Sequence, residues 1–253
     1  MTKHIPIPVY YLFSVTAAVL IWQLLSVTVF PSIFFPPPTQ VAETAVRLIE
    51  NGTLPSHIQI SLQRILLGFF IGSLIGFPVG LVLGANLLVR RLVEPFVHFF
   101  RFVPPIAWVS PAIIWLGIGE ASKVALIIYT TTFMVLLNTL TGVVSIDRNK
   151  LLAARSLGAS SLQCFFFVVF PATIPFIFTG MRLAMGNSFM TVVSAEMIAA
   201  QEGLGYMIIH ARLFMALDQI FVGIICLGLL GWGTDTVLRF LIRRFGSRYQ
   251  PVA

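Results

Sequence analysis

Residues 10–30 contain no Asp, Glu, Lys or Arg, and the same holds for residues 124–144. About 20 predominantly apolar residues cross the hydrocarbon core of a bilayer as a helix. Four further stretches, 62–84, 95–118, 170–198 and 219–242, are nearly as apolar. Composition agrees: 58% of the chain is hydrophobic and 10% charged, where a soluble domain carries about 25% charged residues. A soluble monomer this poor in charge would expose large apolar patches. A soluble enzyme, a disordered chain and a fibrous repeat are excluded. The expected fold is all-α: one polytopic membrane domain over 1–253 with six transmembrane helices. Residues 10–30 lack a small-x-small cleavage site, so a retained helix is expected in place of a removed signal peptide.

The net charge of +7 supplies a topology. With six spans, the N-terminus, the 85–94 loop, the 145–163 loop and the C-terminal tail share a side. They hold Lys3, Arg90, Arg91, Arg148, Lys150, Arg155, Arg239, Arg243, Arg244 and Arg248. The other side holds Arg47, Arg64, Lys123 and Arg212, with Arg101 and Arg182 left near or within spans. The positive-inside bias then places both termini in the cytoplasm. Scattered between apolar runs, these cations form no patch for nucleic acid.

Cys164 and Cys226 lie far apart, and His4, His57, His98 and His210 are isolated, so neither a disulfide framework nor a metal site is expected. Each of the three lysines, Lys3, Lys123 and Lys150, follows Thr, Ser or Asn. A phosphate-binding loop needs Gly there, so nucleotide chemistry is not expected on this chain.

Three features depart from plain apolar helices. Gly68, Gly72, Gly76, Gly80 and Gly84 recur every fourth residue along the second span. Small residues at that spacing let helix backbones approach closely in lipid, here within the subunit or across a dimer. Pro104, Pro105 and Pro111 interrupt the third span, which is tolerated at depth only where freed carbonyls are buried in protein or face a watery cavity. Between the first two spans, Pro36-Pro37-Pro38 favours a stiff extended segment. A short surface helix could follow over 41–49.

The 145–163 loop reads as two short helices in an L. Asp147 is an N-cap, Leu151, Ala154 and Leu157 share a face, Gly158 suits a left-handed stop, and Ser160 or Ser161 caps the second helix. An apolar, small-residue elbow exposed to water invites a partner; a loop folded back on its own bundle is the equal alternative.

Ala153-Ala154, then Gly158 and Phe170-Pro171, resembles the "EAA" loop of ATP-binding-cassette importer permeases, with Leu152, Val168 and Phe170 at its Glu, Ile and Leu positions. Phe35-Pro36-Pro37-Pro38, the run from Arg101 to Trp108, Trp115-Leu116-Gly117-Ile118-Gly119-Glu120, Thr179-Gly180-Met181-Arg182-Leu183, and Ala195-Glu196-Met197 before Gly203-Leu204-Gly205 are similar to the taurine, aliphatic-sulfonate, nitrate and bicarbonate branch. The sulfonate and taurine members look closest.

That resemblance implies a type I ABC importer permease (MetI-like) fold in a bacterial inner membrane. It also implies a homodimer with cytoplasmic ATPase subunits and an extracytoplasmic substrate-binding protein. ATP and Mg would sit on the partner ATPase and no cofactor on this chain. Leu151, Leu152, Ala153, Ala154, Arg155, Leu157, Gly158 and Ala159 would couple to the ATPase, with Leu151 and Leu157 packed beneath the contact. Intramembrane ions mark pathways or pairs. Arg101, Arg182 and Glu196, with Ser188, Thr191 and Ser194, are the candidate pathway residues for a small anion. For Arg182 a structural pair on a neighbouring helix is the stronger alternative. A secondary transporter is the competing function class, although no internal repeat is visible.

Overall fold

A computed structural model describes residues 7–29 and 34–246. Lys3, His4 and Arg248, which entered the topology or histidine readings, lie outside the described residues. Every regular element in the described residues is helical. The long ones are α1 (Ile7–Thr28), α3 (Thr53–Ala85), α6 (Glu120–Val144), α9 (Phe170–Ala199) and α11 (Leu217–Gly246). Between them lie α2 (Pro38–Glu50), α4 (Leu87–Arg101), α5 (Val109–Leu116), α7 (Arg148–Ser156), α8 (Ser161–Cys164) and α10 (Leu204–Leu213).

The glycine stripe sets the centre of the bundle. A Cβ on Gly68 would meet Ile127 at 2.5 Å, one on Gly72 Thr131 at 2.7 Å, one on Gly80 Thr139 at 2.7 Å and one on Gly84 Val143 at 2.5 Å. Each step of four along α3 is matched by a step of four along α6, so the two helices run parallel in near backbone contact. Of the two sequence readings of the stripe, packing within the subunit is the one found. α9 runs the other way: Thr130 meets Thr191 at 3.0 Å and Thr131 meets Ser188 at 3.1 Å, while Gly142 lies against Phe176. Ile65, Phe69, Ile127, Val135, Ala184 and Val192 fill the core between these three helices.

Parallel α3 and α6 oblige residues 86–119 to carry the chain back across the bundle once. They do so as two pieces: α4 and the helical run Pro105–Leu116 meet at 91°. The third span is thus a broken helix starting at Leu87, and not one helix over 95–118. Proline explains the break, since Pro104 and Pro105 lack the N–H that would continue the ladder. Five unbroken helices and one bent pair are long and apolar enough for six crossings. The second and fifth extend beyond the sequence ranges, to Thr53–Ala85 and Ser161–Ala199.

At one end of the bundle lies the elbow of α7 and α8; α3 and α11 finish at the same end, where Gly246 is packed on Phe178. At the opposite end α2 is the expected short helix, and it buries Val41, Thr44 and Leu48 against Leu54, Leu204, Met207 and Val222. Thr44 donates to Asp218 of α11 at 2.6 Å. α1 touches this end through the Trp22 ring, 5.5 Å from Phe221, and the Trp22 N–H, which donates to the Pro36 carbonyl. Ser26 is its one buried side chain among the described residues.

Candidate functional site

Three sites collect the chain's polar groups. The first is a cavity of about 670 Å³ at the break in the third span, walled by residues 101–106, α6 and α9. A broken helix frees carbonyls, and in lipid each must find a donor. The Phe100 carbonyl accepts from the Val103 N–H at 3.0 Å and from the Tyr129 hydroxyl of α6, which also has the Val103 carbonyl 3.3 Å away. Trp108 and Phe133 pack about this phenol, at ring separations of 6.0 and 5.0 Å.

Of the six candidate pathway residues, Arg101, Thr191 and Ser194 line this cavity. Most donors in the wall are already engaged: Asn138, Asn187 and Ser194 donate to carbonyls one turn back on their own helices, and Thr130 faces Thr191. Arg101 differs. Among the described residues it has no ion pair, and its guanidinium lies 4.5 Å from the centre of the Phe102 ring. No residue lining the cavity is acidic. The cavity therefore presents one cation among apolar and weakly polar walls, a setting that offsets the desolvation of an anion.

The other three candidates lie elsewhere. Ser188 is buried between α6 and α9, bonded to Thr131 and to the Ala184 carbonyl. Arg182 pairs with Asp235 of α11 at 3.3 Å, and Asp235 also holds Arg239 at 3.0 Å. His98, which shares a helical face with Arg101, is instead 3.5 Å from Glu94.

Glu196 belongs to the second site, an ion cluster at the end opposite the elbow, buried at Arg64 and Glu196 and open to water at Glu120. Arg64 donates through Nε and Nη2 to the two Glu120 oxygens at 2.5 and 2.6 Å. Its Nη1 donates to Glu196 at 2.8 Å and to the Glu202 carbonyl at 2.8 Å. Ser61 and the Gly205 N–H donate to Glu196, the Leu204 N–H to Ser61, and Lys123 to Glu120 at 3.2 Å. Gly203 has φ of +115°, and a Cβ there would fall 2.4 Å from the Glu196 carboxylate. The cluster balances two cations with two anions and ties α3, α6, α9 and α10 together. Sequence reading placed Arg64 and Lys123 among the loop cations. Their side chains are 4% and 6% exposed, so both are internal. The available signal was charge complementarity: Arg64, Glu120, Lys123 and Glu196 all fall at span ends on the same side.

The third site is the elbow. Asp147 caps α7 by accepting from the Asn149 N–H at 2.9 Å. Leu157 ends the helix, Gly158 turns the chain at φ +85°, and the Ala159 N–H returns to the Ala154 carbonyl at 3.1 Å. Ser160 and Gln163 form a reciprocal capping box that starts α8. No residue of α7 is buried. Leu151, Ala154 and Ala159 are half-buried, while Leu152, Ala153, Arg155 and Gly158 are exposed. Leu157, expected beneath the contact, is 89% exposed. Each step of three falls short of a full turn, so Leu157 lies about 120° round the helix from Leu151, off the half-buried face. The next residues, Phe165–Val169, form a wide π turn. It precedes Pro171, which has no N–H to return to Phe167, and leaves Phe166 and Phe167 exposed.

The family described as binding-protein-dependent transport system inner membrane component matches residues 65–250. A probable ABC transporter permease protein of Brucella melitensis biotype 1 is 42% identical over 223 residues, 88% of this chain and 90% of that protein. The taurine transport system permease protein TauC of Escherichia coli (strain K12) is 38% identical over 237 residues, 90% of this chain and 86% of its own. The putative aliphatic sulfonates transport permease protein SsuC of Bacillus subtilis (strain 168) is 34% identical over 225 residues, covering 88% and 82%. Among solved structures, an inward-facing form of the MetNI methionine ABC transporter aligns with a TM-score of 0.66 at 18% identity. The alignment covers 79% of this chain and 97% of that one.

Proposed function

The chain belongs to the family of binding-protein-dependent transport system inner membrane components, and from that premise we propose that its cavity passes a small organic anion bearing a sulfonate. As a permease subunit of an ABC importer it makes and breaks no bond of the solute. The observation that carries the substrate reading is Arg101, alone and unpaired among the described residues in a cavity with no acidic lining residue. Relatives named for taurine, aliphatic sulfonates and nitrate transport support an anionic solute.

In this reading two copies pair in the membrane, and two ATPase subunits carrying ATP and Mg dock at the elbow end. A substrate-binding protein docks at the opposite end. The exposed Ala153, Arg155, Leu157 and Gly158 seat in the ATPase, with Leu151, Ala154 and Ala159 holding the elbow to the bundle. The elbow end is cytoplasmic. With Arg64 and Lys123 internal, only Arg47 and Arg212 remain of the four cations assigned to the other side, and Arg90, Arg91, Arg148, Lys150, Arg155, Arg243 and Arg244 stay at the elbow end. Alternating access about the midplane cavity then moves the solute inward.

The test is uptake into proteoliposomes holding this chain, its ATPase and its binding protein, with taurine, ethanesulfonate and nitrate as solutes. ATP-dependent uptake of a sulfonate, lost in Arg101→Gln, is the expected result. Uptake without ATP, or full uptake by Arg101→Gln, overturns it.

A further inference from the structure

A second cavity, of about 530 Å³, lies on the far side of the core, between α3, α9 and α11. Phe69, Phe70, Phe178, Met185, Leu230 and Val237 are among the residues that line it, and no charged residue does. Its one hydroxyl, Thr234, is already spent on the Leu230 and Gly231 carbonyls at 2.9 and 3.0 Å. At Gly233, also in the wall, an added Cβ would meet nothing within 4 Å. α11 therefore stands off from its neighbours along this stretch.

Such a void holds nothing for water, which needs two to four polar partners. Close packing nevertheless demands that it be filled. The charge pattern indicates with what. Thr234, Val237 and Leu241 line the cavity at successive helical steps, and Arg244 follows Leu241 by three, on the same face. Arg244 lies in the last turn of α11, at the elbow end, and is exposed and without an ion pair among the described residues. Arg243 shares that last turn but lies about 200° round the helix from Leu241, so Arg244 is the cation on the crevice's face, at its elbow end.

We infer that this crevice is a binding site for one phospholipid with an anionic headgroup, its acyl chain along Phe70, Leu230 and Val237 and its phosphate at Arg244. The test is native mass spectrometry of the full chain extracted in detergent and titrated with phosphatidylglycerol or phosphatidylcholine. The wild type retains phosphatidylglycerol about fivefold better than phosphatidylcholine, the preference one cation confers near an anionic phosphate. Gly233→Trp, whose indole fills the crevice, loses both lipids. Arg244→Gln keeps binding and loses the preference, a readout that stands if the first variant does not fold. Equal retention of both lipids by the wild type, or lipid retained by a folded Gly233→Trp, overturns the inference. So does a crosslink in membranes between Gly233→Cys and α1 of a second copy.

Discussion

Arg64 and Glu196, 132 residues apart in the chain, meet at 2.8 Å with 4% and 0% of their side chains exposed. A guanidinium and a carboxylate placed this deep are stable only because each Arg64 nitrogen and each Glu196 oxygen has a partner. Glu120, Ser61, Gly205 and the Glu202 carbonyl complete the set. The outcome is a polar staple across the ends of three spans that are otherwise held by close packing and a few hydroxyl contacts.

Glu196→Ala leaves the Arg64 charge half-matched in a dry site, and breaking a buried pair in this way costs about 3–5 kcal/mol. Glu120, with 62% of its side chain exposed, is expected to matter less, because water reaches the position when the carboxylate is removed. Thermal unfolding of the detergent-purified protein should therefore rank Glu196→Ala well below Glu120→Ala. Equal midpoints would contradict the staple.

Gly76 and Gly186 are both helical glycines, yet they should respond with opposite sign. A Cβ at Gly76 would fall 2.7 Å from the Thr132 carbonyl of α6, while one at Gly186 meets nothing within 4 Å. Overpacking against backbone costs about 1–3 kcal/mol, whereas Ala is favoured over Gly in an open helix position by up to about 1 kcal/mol. Gly76→Ala should lower the melting temperature and Gly186→Ala hold or raise it, both read by the same unfolding assay.

Leu157 offers a separation of coupling from stability. Being 89% exposed at the elbow, it contributes little to the fold, so Leu157→Asp should melt like the wild type. If the elbow is the ATPase contact, the same variant should co-purify with at least about tenfold less ATPase, the loss of roughly 1.4 kcal/mol. Undiminished co-purification would move the contact elsewhere.

At Gly158 the backbone itself is the constraint, with φ of +85°. Asn tolerates the left-handed region and β-branched residues do not. Gly158→Asn should keep ATP-driven uptake and Gly158→Val should reduce it, with both proteins present in the membrane at wild-type amounts. A large charged group, as in Gly158→Glu, should uncouple ATP hydrolysis from uptake.

Arg182 and Arg101 make the contrasting pair for the pathway. Arg182 is held by Asp235, so Arg182→Gln should leave the KM for solute uptake unchanged, while Arg101→Gln should abolish uptake. Tyr129→Phe removes one of two donors to the Phe100 carbonyl, which keeps the Val103 N–H at 3.0 Å. Losing one such hydrogen bond costs about 0.5–1.5 kcal/mol, visible as a slightly lower melting temperature.

The amino-acid sequence alone determined the bilayer setting, six crossings, the weak third span, the elbow and its caps. Those features follow from local properties: run length, charge spacing, missing proline N–H groups and short-range capping. The tertiary structure decided which surface each feature meets. It gave the glycine stripe to α6, since close approach depends on the partner's register. It left Leu157 outside the packed face, since which side of a short helix meets the bundle is set by neighbours distant in the chain. It took Arg64, Lys123 and Glu196 out of the topology and pathway readings. A charge within a span looks the same in sequence whether it faces a solute or an opposite charge. Only the folding of distant helices supplies the partner that offsets its desolvation.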